Sequence, residues 1–189
     1  MRSVCVYLAS ATGFDPAYLA AAKAAGAAIA FRGLELVYGG ASVGCMGAMA
    51  DAAISAGGRV TGVIPTSMVE REIAHRGLAE LIVVPDMHAR KAMMFARADG
   101  FLVLPGGFGT MEEVFEVLTA AYLGLHAKPV TFVDVQGYYA PLASFLDHAL
   151  AAGLLRSESR ALARFAPGVE SALDDLTRRA DAPRSGDRG

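Results

Sequence analysis

The sequence predicts an α/β fold, a Rossmann-like, doubly wound parallel sheet of about seven strands with helices on both faces. Three observations predict it. Short apolar runs alternate with longer segments of helical periodicity along the whole chain. The apolar runs lack the period-two alternation of a half-exposed strand, as expected where both sheet faces are covered. One run leads through a glycine-rich turn directly into a helix signal. At 189 residues, 54% of them hydrophobic, the chain fits one domain with a large core.

The elements follow in order. Ser3–Ala9 is an apolar strand, and Asp15–Phe31 a helix that Asp15 caps and Pro16 opens. Leu34–Tyr38 is a strand leading to a helix at Gly44–Ala56. A strand at Arg59–Ile64 precedes a polar loop, Pro65–Arg76, and a strand at Glu80–Val84 precedes a helix at His88–Ala98. Gly100–Leu104 is a buried strand, and Thr110–Leu123 a helix with apolar residues at Met111, Val114, Phe115, Leu118 and Tyr122. Strands at Pro129–Val133 and Ala161–Phe165 alternate with helices at Tyr138–Ala151 and Val169–Arg179. Residues 1–179 are expected as a single domain, and 180–189, polar and rich in Pro, Gly and charge, as a disordered tail.

The run Pro105-Gly106-Gly107-Phe108-Gly109-Thr110-Met111-Glu112-Glu113 is the most informative stretch. Its three glycines allow close approach of a ligand, and its amides and the free N–H groups of the following helix suit a phosphate. Thr110 is the expected N-cap, with Glu112 and Glu113 in the first turn. A carboxylate there is favoured by the helix dipole but repels a phosphate set too near. The pattern points to a division of labour in which amides hold an anion and a carboxylate faces the reacting part of the ligand. The bland alternative is a plain strand-to-helix turn. No Lys-Ser/Thr follows the glycines, so this is not a P-loop, and the first strand–helix unit carries only Gly13, which disfavours NAD.

Charge excludes other classes. Seventeen basic residues against 19 acidic give a net of −2, so neither a nucleic-acid nor a membrane surface is indicated. Cys5 and Cys45 make no disulfide framework or zinc spacing. Cys5 reads as core; Cys45 reads as a small packing residue, the alternative being a thiolate favoured at a helix start. The apolar start is too short for a signal peptide, and the expected location is cytoplasmic. His88, His126 and His148 have no mutual metal spacing, and no metal is expected.

The nine residues spelling Pro-Gly-Gly-x-Gly-Thr-x-x-Glu resemble the signature of the LONELY GUY (LOG) family, cytokinin riboside 5′-monophosphate phosphoribohydrolases often labelled possible lysine decarboxylases. Three further segments match: Val37 to Gly47, resembling Tyr-Gly-Gly-Gly-x-x-Gly-x-Met-Gly; Met87 to Met94, resembling Met-x-x-Arg-Lys-x-x-Met; and Ala98-Asp99-Gly100-Phe101. The likeness runs from about Val4 to Leu176. It implies hydrolysis of the N-glycosidic bond of N6-substituted adenosine 5′-monophosphates, releasing free base and ribose 5-phosphate. It assigns catalysis to Arg90 and Glu113, 23 positions apart, leaving their roles in proton transfer open. It assigns substrate and phosphate binding to Ser10, Gly40, Ser42, Met87, Lys91, Pro105, Gly106, Gly107, Gly109 and Thr110.

Lys91 admits two readings, a ligand-site cation or a pyridoxal-phosphate lysine. The second is rejected, because no partner for the pyridine ring can be identified, and no cofactor is expected. Glu72 and His75 lie in a loop that either caps the pocket or is solvated. Two departures, Leu8-Ala9-Ser10-Ala11 where the family often has Cys-Gly-Ser-Ser and Ala41 for a third glycine, bear on base preference. The rivals are a hydrolase acting mainly on AMP and a non-catalytic nucleotide or cofactor carrier. The resemblance also implies a homodimer or higher oligomer, which the apolar Thr110–Leu123 helix with Met93 and Met94 would build.

Overall fold

The computed structural model describes residues 1–69 and 74–182. Its strands are β1 (Ser3–Tyr7), β2 (Glu35–Tyr38), β3 (Val60–Pro65), β4 (Glu80–Val84), β5 (Gly100–Val103), β6 (Val130–Val133) and β7 (Ala163–Ala166). Its helices are α1 (Pro16–Phe31), α2 (Gly44–Ser55), α3 (Thr66–Val69), α4 (Met87–Arg97), α5 (Phe108–Tyr122), α6 (Ala140–Ala151), α7 (Ser157–Arg160) and α8 (Val169–Ala180). The strands form one sheet in the order β4-β3-β2-β1-β5-β6-β7, with every neighbouring pair parallel. This is the Rossmann-like architecture expected, and its strand order reverses between β1 and β5.

Successive strand residues point to opposite faces, and both faces are covered. Val4, Val6 and Leu8 pack with α1, α2 and α8, whereas Cys5 and Tyr7 pack with α4 and α5. That double burial removes the polar alternation from the sequence. The α1–α2 contact uses the abundant alanines: Ala22, Ala25, Ala50 and Ala53 are buried in it. A β-carbon at Gly26 would sit 2.0 Å from the Met49 carbonyl oxygen, so the two helix backbones nearly touch.

The differences from expectation are local. β1 ends at Tyr7 rather than Ala9, although the Ala9 amide still bonds the Pro105 carbonyl at 3.1 Å. α5 starts two residues early, with Gly107 as its N-cap, so Thr110 lies inside the first turn and Glu112 and Glu113 follow it. Thr110 therefore does not cap the helix. Met94, Val114 and Val117, expected in part at an interface, are buried within the subunit, while Phe115 and Tyr122 remain exposed. α3, α7 and a 3₁₀ turn at Val135–Gly137 are three- or four-residue segments, too short for periodicity to reveal. Residues 183–189 of the expected tail lie outside the described residues, and Ala180 closes α8. No helix among the described residues is long and apolar enough to cross a membrane.

Candidate active site

Segments after β1, β2, β3, β4 and β5 surround one cleft of about 520 Å³. It lies at the carboxyl edge of the sheet near the reversal of strand order, the ligand address of open α/β sheets. The glycine turn forms one wall. Gly106 has a packing reason to lack a side chain, because a β-carbon there would sit 2.0 Å from Thr110 Oγ1. Gly107 and Gly109 have none: a β-carbon on either would meet nothing within 4 Å, yet both line the cleft. Their openness leaves the backbone accessible to a ligand. The Met111 N–H bonds the Gly107 carbonyl at 3.0 Å, the first bond of α5. The amides of Phe108, Gly109 and Thr110 thus lack an acceptor within the helix and suit an anion.

Arg90 and Glu113 line the same cleft, and each is only 6% exposed. Asp86 caps α4 by accepting from the Ala89 amide at 2.8 Å, which places Arg90 in the first turns of that helix. Arg90 Nε donates to the Val63 carbonyl at 3.2 Å, and Nη1 lies 3.8 Å from Met87 Sδ and 3.5 Å from Glu113 Oε1. Room for the guanidinium comes from Gly39, where a β-carbon would fall 1.9 Å from Nη2. Burial pushes the Glu113 carboxyl up to about 7, with Arg90 opposing and Glu112 adding to the rise. The result is a carboxyl that changes protonation near neutral pH beside a fixed positive charge, as proton-transfer catalysis favours.

The other expected site residues separate into groups. Ser10 and Met87 line the cleft. Pro105 and Gly106 stand behind the turn, lining a small void of about 140 Å³. Gly40 and Ser42 are not on the cleft wall; Ala41 and Val43 take that position. Gly40 instead turns the chain, with φ +76°, and its carbonyl accepts the His75 amide at 2.9 Å. Lys91 faces away from the cleft, ion-paired with Glu112 and Glu116 in a second groove that also touches Glu113. It does not line this cleft within the subunit.

His75 does not reach the cleft either. Its Nε2 lies 2.9 Å from Asp51 Oδ1, and its Nδ1 accepts the Gly77 amide at 3.1 Å, which ties His75 to α2 and to Gly77 just after it. Glu72 lies outside the described residues. Cys45 is buried and hydrogen-bonds toward the Thr12 carbonyl at 3.9 Å; burial pushes its thiol up, against a thiolate. Among the described residues no group of three or more His, Cys, Asp or Glu could hold a metal.

Sequence reasoning missed Met46, Met68 and Phe108 as cleft residues, Phe108 being 97% exposed at its edge. It also passed over Tyr138 and Tyr139, whose hydroxyls donate to the carbonyls of Gly106 and Leu104 at 2.8 and 2.7 Å. Their place after the carboxyl end of β6, on the ligand edge, was the available signal.

Known proteins resemble this chain in sequence and fold. Residues 46–176 match the family described as "Possible lysine decarboxylase". The chain is 46% identical over 173 residues to the cytokinin riboside 5′-monophosphate phosphoribohydrolase of Rhodococcoides fascians, covering 91% of this chain and 87% of that one. It is 44% identical over 166 residues to the Oryza sativa LOG enzyme of the same name, covering 88% and 69%. Among solved structures, the molybdenum cofactor binding protein of Rippkaea orientalis superimposes with a TM-score of 0.71 at 23% identity, covering 94% and 96%, a likeness of fold alone. The family match and the curated relatives together show that the chain belongs to the LONELY GUY family.

Proposed function

We propose that this chain, like the relatives named cytokinin riboside 5′-monophosphate phosphoribohydrolases, is a phosphoribohydrolase that cleaves the N-glycosidic bond of N6-substituted adenosine 5′-monophosphates, and that it is not a lysine decarboxylase. The observation that carries this reading is the buried Arg90–Glu113 pair in a cleft walled by two glycines open to a ligand. The phosphate would sit against the amides of Gly107, Phe108, Gly109 and Thr110. Cleavage breaks the bond from C1′ to the base nitrogen, water forms the new C1′–OH bond, and the second water proton ends on the base. Positive charge builds at C1′ on the way, and a buried carboxylate nearby lowers that barrier. Arg90 offers N–H donors and no acceptor, so it serves by hydrogen bonding and by orienting Glu113. Proton transfer falls to Glu113, whose carboxyl is pushed up to about 7 by burial.

No metal or organic cofactor is needed for this hydrolysis. The reading includes one compact catalytic domain, a cytoplasmic location and a homodimer. Exposed Phe115, Tyr122, Leu123 and Leu125 on and after α5 support the dimer as apolar surface for a self-complementary contact. Incubation with isopentenyladenosine 5′-monophosphate and with AMP, followed by chromatography of the released base, tests the reading. Base release from the N6-substituted nucleotide at a higher kcat/KM is expected. Higher kcat/KM for AMP would reassign the substrate, and tight nucleotide binding without base release would make the protein a carrier.

A further inference from the structure

We propose that Tyr138 is a positioning residue for the glycine turn: its hydroxyl fixes the Gly106–Gly107 peptide so that the Gly107 N–H is presented to the substrate's phosphate. The proposal rests on the reading above, that this turn receives a phosphate. Tyr138 Oη donates to the Gly106 carbonyl at 2.8 Å. That carbonyl and the Gly107 N–H belong to one planar peptide unit, and no described peptide bond is cis. In a trans unit the two groups point in opposite directions, so holding the oxygen on the Tyr138 side sends the N–H away from it. Gly107 lines the cleft. A hydrogen bond to the oxygen also polarises the unit and makes its N–H a stronger donor.

The connection after β6 is built to deliver this hydroxyl. Gln136 and Gly137 both have positive φ, 52° and 78°, an unfavourable conformation for a residue with a β-carbon, and together they turn the chain just before Tyr138. Asp134 Oδ1 accepts the Tyr139 amide at 2.6 Å and closes that turn. The Tyr138 ring is braced edge-on by Tyr18 at 5.5 Å and by Tyr139 at 4.9 Å. Packing alone does not hold the peptide, because the void of about 140 Å³ lies beside it, between Tyr18, Tyr138 and Cys45. The neighbouring Tyr139 differs: it is buried, and its hydroxyl donates to the carbonyl of Leu104, the residue just after β5. It holds the core, whereas Tyr138 holds the turn.

Tyr138→Phe and Tyr139→Phe separate the two roles. Binding of ribose 5-phosphate by calorimetry reads the turn without requiring turnover, and KM and kcat for the nucleotide are measured alongside. For Tyr138→Phe we expect ribose 5-phosphate binding about 5–10-fold weaker, the scale of one hydrogen bond, with KM raised by a similar factor. Its kcat should stay within about threefold and its Tm within about 5 °C. Tyr139→Phe should lower Tm and leave ribose 5-phosphate affinity unchanged. Unchanged affinity in Tyr138→Phe overturns the proposal, as does equal loss of affinity in both variants, which makes the pair structural only. If the parent binds ribose 5-phosphate but releases no base, the hydrolase reading falls, while selective loss of that binding in Tyr138→Phe still supports the positioning role.

Discussion

Replacing Glu113 by Gln keeps the shape of a side chain that is 6% exposed and removes its ability to ionise. Two magnitudes follow. The carboxyl ionises near 4.5 in the unfolded chain and at about 7 in the folded one. Between those values the folded state holds a proton that the unfolded state has lost. The parent's stability therefore falls as pH rises through that window and levels off above about 7. At 1.36 kcal/mol per pKa unit the full loss is on the order of 3 kcal/mol. The Gln variant lacks this loss, so its Tm relative to the parent should improve by roughly 5–10 °C between pH 5 and pH 8.5. Base release should fall at least ~100-fold, the scale for one electrostatic catalytic group, while nucleotide binding persists. Melting curves across pH and chromatography of released base measure both. Parallel Tm curves would refute the raised carboxyl, and turnover within a few-fold of the parent would refute the catalytic role.

Two glycines offer a contrasting pair. Gly109→Ala should leave Tm unchanged or slightly higher, since nothing lies within 4 Å of the new methyl and alanine favours the helix, yet nucleotide KM should rise about tenfold or more, measured by steady-state kinetics. Gly39→Ala should instead displace the Arg90 guanidinium, 1.9 Å from the new methyl, and cut kcat by more than about tenfold. Arg90→Lys, which cannot reproduce the fork reaching Val63, Met87 and Glu113, should lose about tenfold or more in kcat/KM; activity within twofold would sink the positioning argument. Hydrolysis should continue in EDTA, and a loss restored by divalent metal would contradict the cofactor-free reading. Light scattering should give a dimer, and a fully active species at 19.6 kDa would remove the interface on α5.

Most of the fold was legible because each element announces itself locally. The apolar runs matched all seven strands to within a few residues, and Asp15-Pro16 marked the start of α1. The lining of the candidate cleft was legible where residues share a contiguous motif, as do Gly107, Gly109 and Glu113. It was less legible where a role depends on direction. Lys91 follows Arg90 in sequence, but neighbouring helix positions point about 100° apart, and Lys91 ends among Glu112 and Glu116. Gly39 and Gly40 look equivalent on paper; one makes room for a guanidinium and the other turns the chain. Thr110 was misplaced as a cap because a helix can begin on glycines that need no capping side chain. The tyrosines after β6 stood at the ligand edge in sequence, but their partners, the carbonyls of Gly106 and Leu104, emerged only once strand pairing had brought β6 beside β5.

The crossover from β4 to β5 has a kinetic meaning. β4 stands at one edge of the sheet, and α4 carries the chain back past β3, β2 and β1 to a strand on the far side. The β1–β5 ladder, in which Cys5 faces Phe101, must close a loop of nearly one hundred residues. The four-strand wing before it can zip by short sequential steps, and so can the three-strand wing after it. Arg90 rides on the strap between the wings and Glu113 on the first helix beyond it, so their meeting requires that slow closure. During refolding, regained turnover should lag behind regained helical signal, which makes the buried pair a sensor of the last topological event.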